Sequence, residues 1–166
     1  VIKTVNPFIN LISDLTINEL NKEFKDTSLG LSGIGGFLIA LNILEEFGFK
    51  TNKKNFNFFE CTQKLLKSLN NEQITQDKNL DFLNGTAGLL SSLISLSESR
   101  FITTCITNLL EKQESNGSWI SGSNSKKGLT GLSHGVAGIS MTLSKCLDLN
   151  LPETLKTKIY KSISKA

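Results

Sequence analysis

Three segments of this chain share one pattern in register, and that repeat limits the fold more than any other feature. They read LSGIGGFLIAL at 31–41, LNGTAGLLSSL at 83–93 and SHGVAGISMTL at 133–143. Each carries G-x-x-G, an apolar residue, and a leucine five positions after the second glycine. The first glycines, Gly33, Gly85 and Gly135, are separated by 52 and 50 residues. Self-similarity at such a period is the signature of stacked supersecondary units. Each segment reads as a helix starting at its glycines, with Phe37, Leu41 and Leu44, then Leu89, Leu93 and Leu96, then Ile139, Leu143 and Leu147, sharing a face. All three are nearly free of charge, which predicts burial on most sides.

More amphipathic stretches lie between them. Phe58–Asn70 sets Phe59, Leu65, Leu66 and Leu69 against Lys64 and Lys67. Phe101–Lys112 sets Ile102, Ile106, Leu109 and Leu110 against Thr and Asn, and Leu151–Lys165 sets Leu155, Ile159 and Ile163 against Lys158, Lys161 and Lys165. These read as outer helices with one wet face, and Asn6–Phe24 as one or two more. Two prolines leave room for long helices. The expected fold is therefore all-α: an α/α toroid, an incomplete barrel of inner and outer helices with a repeat of about 50 residues. Residues 1–166 read as a single partial domain with repeats near 27–48, 80–98 and 130–148. The glycines would let the inner helix starts approach without Cβ clashes. If the ring is open, the helix at Ile139–Leu147 is expected to carry an uncovered apolar flank. Gly117–Gly122 reads as a turn or a short hairpin strand, Asn124–Lys127 as a loop, and Trp119 as a packing residue.

Composition excludes several functions. With 39% hydrophobic and 20% charged residues, the chain has material for a core. Net charge is +3 and Arg100 is the only arginine, so bidentate phosphate or base recognition lacks its usual donor and no nucleic-acid partner is expected. The uncharged run Thr27–Leu44 is broken by glycines and is shorter than a membrane span, so no transmembrane segment is expected. No signal peptide is visible at Val1–Thr4. Cys61, Cys105 and Cys146 are odd in number, form no C-x-x-C pair and sit in apolar helical stretches. They read as buried small hydrophobes in a protein of the reducing cytoplasm, not as a disulfide framework or a metal site.

One position varies in an informative way. The residue before the first glycine is Ser32, then Asn84, then His134. Serine and asparagine are favoured helix caps; histidine is not. His134 is also the sole histidine. In a closed ring the three helix starts would share a rim, presenting unpaired N–H groups and partial positive charge. An imidazole there could exchange a proton near neutral pH, or could simply bond a backbone carbonyl. Asp81, four residues before Gly85, matches Leu29 and Gly131 in the other repeats. It too is unique to one repeat, and by itself reads as a solvated acid near a helix start.

These residues resemble a known family. Gly131-Leu-Ser-His134-Gly135-Val-Ala-Gly138-Ile resembles the G-x-x-H-G-x-x-G-I segment of the lanthionine synthetase C-like family. Leu80-Asp81-Phe-Leu-Asn-Gly85-Thr-Ala-Gly88-Leu resembles its earlier acid-bearing segment, and Ser28–Gly36 the repeat before that. The resemblance covers roughly residues 27 to 147. It implies a toroid with zinc at its centre, whose members add peptide cysteine thiols to dehydroalanine or dehydrobutyrine to close thioether rings. It places His134 on the family's active-site histidine, for proton transfer, and Asp81 on its active-site acid. It implies a dehydrated precursor peptide as partner, and a dehydratase or a missing C-terminal half as possible others. The family's zinc ligands are two cysteines and a second histidine, in Trp-Cys and Cys-His-Gly segments that do not occur here. The expected reading is thus a fragment, a truncated product or one part of a split enzyme, without bound zinc and inactive alone. The alternative is a non-catalytic degenerate α/α toroid that binds a peptide or protein partner.

Overall fold

Each G-x-x-G opens a helix, and the amphipathic segment after it supplies the cover. The computed structural model describes residues 27–49, 57–122 and 127–166. The helices expected within 6–24, and residues 124–126 of the expected loop, lie outside these residues. The described residues form seven helices: α1 Ile34–Glu46, α2 Phe58–Ser68, α3 Asn71–Gln76, α4 Thr86–Ser95, α5 Ile102–Glu111, α6 Val136–Cys146 and α7 Glu153–Lys165. Among them there is no strand, only an isolated bridge between Leu129 and Gly135.

The packing order is that of an α/α toroid. The repeat helices α1, α4 and α6 lie side by side, α4 between the other two. Each is covered by the helix that follows it: α2 on α1, α5 on α4 and α7 on α6. The amphipathic pattern explains the split into layers. α5 buries Ile102, Cys105, Ile106 and Leu109 on one side, while α4 buries every residue from Thr86 to Leu93. A helix apolar all round needs neighbours all round, and among the described residues only α4 has an inner helix on each side. The flanking helices are less buried than their composition suggests. α1 leaves Ile43 exposed, as is Phe47 just after its end. α6 buries Ile139, Leu143 and Cys146 completely, and its more open side carries Ala137, Ser140, Met141 and Ser144. The expected apolar flank at 139–147 is therefore not there: the large residues of that helix face α4 and α7, and small or unbranched ones take the other side.

Two local expectations are corrected and one open alternative is decided. The stripe of α2 runs through Phe58, Cys61, Leu65 and Leu66, and Phe59 points to solvent. The helix expected over 58–70 stops at Ser68, because Asn70 and Gln73 form a reciprocal capping box that starts α3. For Gly117–Gly122 the structure decides between the two readings, since the segment forms no strand: both glycines have positive φ, and Gly117 N–H closes a turn onto the Glu114 carbonyl at 2.9 Å. All three cysteines are buried, as expected.

No helix among the described residues is long and apolar enough to cross a membrane. The end of α4 offers a stability test. Ser97 holds φ at 54° in the position where Gly48, after α1, holds 66°. A left-handed conformation costs an L-residue about 1–2 kcal/mol, part of which glycine returns as unfolded-state entropy. Ser97→Gly is expected to raise unfolding free energy by about 0.5–1 kcal/mol in urea titration. An unchanged midpoint would mean that the serine side chain offsets its own backbone strain.

Candidate functional site

The loop before each inner helix folds back over that helix's first turn. Ile34, Gly35 and Gly36 donate their N–H groups to the carbonyls of Ser28, Leu29 and Gly30. Thr86, Ala87 and Gly88 bond those of Asn79, Leu80 and Asp81, and Val136 and Ala137 those of Leu129 and Thr130. The helix mouths are thus closed by backbone, which overturns two expectations. The first-turn N–H groups of α1 and α4, and those of Val136 and Ala137 in α6, are not orphans open to an anion. Ser32 and Asn84 are not caps either: Gly33, Gly85 and Gly135 take the cap positions, with no side-chain bond. The register also shifts by one in the first repeat. Gly30, not Leu29, supplies the carbonyl that Asp81 supplies in the second.

This wrap explains the glycine pairs. A Cβ on Gly33, Gly85 or Gly135 would overlap the loop's own carbonyl, from Ser28, Asn79 or Leu129. The second glycine also admits the neighbouring repeat: a Cβ on Gly88 would come within 2.8 Å of Gly30 Cα and Leu31 N, and one on Gly138 within 2.9 Å of Phe82 Cβ. The loops are stitched together as well. Ser32 N–H bonds the Leu83 carbonyl at 2.8 Å and Leu83 N–H the Ser133 carbonyl at 2.9 Å.

With capping done by backbone, the side chains before the glycines are free to meet one another along the rim. Ser32 Oγ donates to Asn84 Oδ1 at 2.8 Å, and Asn84 Nδ2 lies 3.5 Å from His134 Nδ1. His134 Nδ1 also faces Asp81 Oδ2 at 3.3 Å. The structure therefore brings together the two candidate site residues that stand 53 positions apart. Asp81 is not a solvated acid: its side chain is 5% exposed, against 44% for His134. Its Oδ1 accepts the Asn84 N–H at 2.6 Å and its Oδ2 accepts the Ser121 hydroxyl at 2.7 Å. Among the described residues the His134 ring is held by no backbone carbonyl; it faces the Asp81 carboxylate. A carboxylate facing Nδ1 places the ring proton there and leaves Nε2 to exchange protons with a molecule at the rim. A buried acid orienting a half-exposed imidazole is an arrangement suited to general acid–base chemistry.

Ser121 was not legible as a site residue. It lies 40 positions from Asp81 and outside the repeat, and only the flanking glycines hinted at an ordered turn. A second polar cluster braces the same loop. Thr86 Oγ1 donates to Asp77 Oδ2 at 3.0 Å and accepts from Asn108 Nδ2 at 3.1 Å, while Lys112 Nζ bonds the Asp77 carbonyl at 2.7 Å. Burial pushes the Asp77 carboxyl above its ordinary value, against the opposing bonds from Asn79 and Thr86. A groove of about 370 Å³ between α5 and α7, lined by Leu110, Leu155 and Lys158 among others, belongs to the outer layer and shares no residue with the rim.

The cysteines do not join the site. Burial pushes the Cys146 thiol up to about 12, and raises Cys105 and Cys61 above the ordinary thiol value as well. Such thiols are protonated at neutral pH and serve neither as nucleophiles nor as thiolate ligands. Among the described residues no group of three or more His, Cys, Asp or Glu could hold a metal ion. The zinc implied by the family resemblance thus finds no donor set in His134 and the three core cysteines. In the native protein at pH 8, all three thiols are expected to resist a disulfide reagent and to react together on unfolding. A thiol that titrates within seconds in the native protein would contradict this burial.

A family model described as lanthionine synthetase C-like protein matches residues 5–166. No curated protein and no solved structure matches the chain.

Proposed function

Because the chain belongs to the lanthionine synthetase C-like family, we propose that it is part of a peptide cyclase in lantibiotic-type biosynthesis. The proposed substrate is a dehydrated precursor peptide, supplied by a dehydratase in the cytoplasm. The reaction adds a cysteine S–H across the C=C of dehydroalanine or dehydrobutyrine, giving lanthionine or methyllanthionine. The S–H bond breaks, sulfur bonds to Cβ, the π pair moves into the adjoining carbonyl as an enolate, and Cα takes up a proton. Two proton transfers are thus required.

The observation that carries this reading is the contact between Asp81 Oδ2 and His134 Nδ1, buried acid to half-exposed imidazole, at the rim of the inner helices. His134 Nε2 would take the thiol proton or deliver one to Cα. Asp81 would hold the ring in the tautomer that presents a basic Nε2 and would stabilise the imidazolium between the two transfers. Zinc, where the family binds it, lowers the thiol pKa. The described residues do not fit that metal, so only the proton steps are assigned to this chain. By itself, the chain is proposed to be inactive in ring closure.

The test supplies the Trp-Cys and Cys-His-Gly segments of the family alongside this chain, adds dehydrated peptide, alkylates the remaining thiols and counts them by mass spectrometry. Rings that close with the unaltered chain and not with His134→Ala support the proposal. Peptide that binds but is never cyclised would identify a non-catalytic module instead.

A further inference from the structure

We propose that Ser121 is a positioning residue of this site, which turns the Asp81 carboxylate toward His134 and thereby selects the tautomer of the imidazole. The inference rests on the reading of Asp81 and His134 as the proton-transfer pair.

The geometry uses the whole bonding capacity of one hydroxyl. Ser121 Oγ accepts the Leu80 N–H at 2.9 Å and the Asp81 N–H at 3.1 Å. A hydroxyl has two acceptor sites and one proton. With both acceptor sites taken, the proton has one destination, Asp81 Oδ2 at 2.7 Å. The Asn84 N–H holds Oδ1 at 2.6 Å. Both oxygens are then fixed, and so is the plane of the carboxylate. Its remaining acceptor capacity on Oδ2 faces His134 Nδ1 at 3.3 Å. The Asn84 amide nitrogen also approaches Nδ1, but at 3.5 Å and as a neutral group. The closer anionic acceptor prevails, and the ring carries its proton on Nδ1.

Ser121 reaches the rim on an anchored segment. Trp119, two residues earlier, is fully buried and donates from Nε1 to the Leu109 carbonyl of α5 at 2.7 Å. Gly122, one residue later, has φ +85° and bonds the Lys78 carbonyl at 2.9 Å. The hydroxyl is therefore held from both sides before any substrate arrives, as preorganised positioning requires. Without it, the Leu80 and Asp81 N–H groups lose their acceptor. The carboxylate, losing the hydroxyl that fixes Oδ2, is then free to rotate, and a rotation away from the ring leaves Nδ1 to the Asn84 amide.

Because His134 is the only histidine, nitrogen NMR of the uniformly labelled chain reads this directly, without activity. Above the imidazole titration, the unaltered chain is expected to show the Nδ1–H form. Ser121→Ala should move it to the Nε2–H form, Ser121→Thr should restore the original signal, and Asp81→Asn should reproduce the alanine result. In the ring-closure assay, Ser121→Ala should lower kcat about 10–100-fold with little change in KM. Added to Asp81→Asn it should cost nothing further, since both act through one carboxylate. Should Ser121→Ala fold poorly, Ser121→Thr and Asp81→Asn still give opposite signals. An Nδ1–H signal that survives Ser121→Ala, or an effect that multiplies with Asp81→Asn, overturns the proposal for Ser121 alone. Wild-type cyclisation by His134→Ala would instead remove the reading beneath it.

Discussion

His134→Ala is expected to slow thioether formation by about 10²–10⁴-fold, the usual worth of a positioned general acid or base. Among the described residues of the rim the imidazole is the side chain suited to pass a proton in both directions, and its half-exposed side chain can reach a bound peptide. Peptide affinity should change little, because the loss falls on groups engaged only as bonds form and break. Asp81→Asn should also slow the reaction. Its amide keeps one acceptor for the Asn84 N–H but turns a donor toward Nδ1, so the ring loses the partner that fixes its tautomer. The shared readout is the number of alkylatable cysteines remaining with time, by mass spectrometry. Cyclisation at the wild-type rate by His134→Ala would make the histidine a structural residue of the rim.

Trp119→Ala is expected to cost about 3–5 kcal/mol of unfolding free energy, the range for emptying a large buried aromatic site. The indole has no exposed surface, and its Nε1 serves the Leu109 carbonyl in the last turn of α5, where helical partners run out. Removal therefore opens a cavity and leaves a buried acceptor unpaired. Total stabilities of about 5–15 kcal/mol make such a loss a large share of the whole. Trp119→Phe should cost less, since it keeps most of the volume and forfeits only the bond. Urea unfolding measures both. If Trp119→Ala cost under about 1 kcal/mol, the 117–122 segment would be peripheral. It could not then hold Ser121 at the rim.

Much of the fold was legible because it is written in local periodicities. A face that recurs every 3.6 residues is a property of a dozen neighbours, so the inner and outer helices could be read directly. The glycine repeat set their order. The break between α2 and α3 was less legible, since it depends on two polar side chains, Asn70 and Gln73, bonding each other's backbone. The candidate pair, Asp81 and His134, stood out as departures from the repeat. Their contact did not, because it needs two loops 53 residues apart to pack edge to edge.

The reading of Ser32 and Asn84 as caps failed for a reason that carries over to the site. Capping preference describes an isolated helix end, whose first N–H groups lack partners. Here the preceding loop folds back and its carbonyls take those groups, which is possible only because glycine leaves no Cβ in the way. The side chains thus released meet along the rim: Ser32 bonds Asn84, and the Asn84 amide lies beside the His134 ring.

Sequence alone determined the class of fold, the order of the layers and the two residues on which chemistry could depend, because hydrophobic period, glycine spacing and residue type are local facts. Tertiary structure alone decided that Asp81 is buried, that Ser121 aims it, that the loops fold back over the helix mouths and that the cysteines are shut in the core. Each of these depends on groups far apart in sequence competing for the same hydrogen bonds and the same space, and that competition is settled only when the repeats pack.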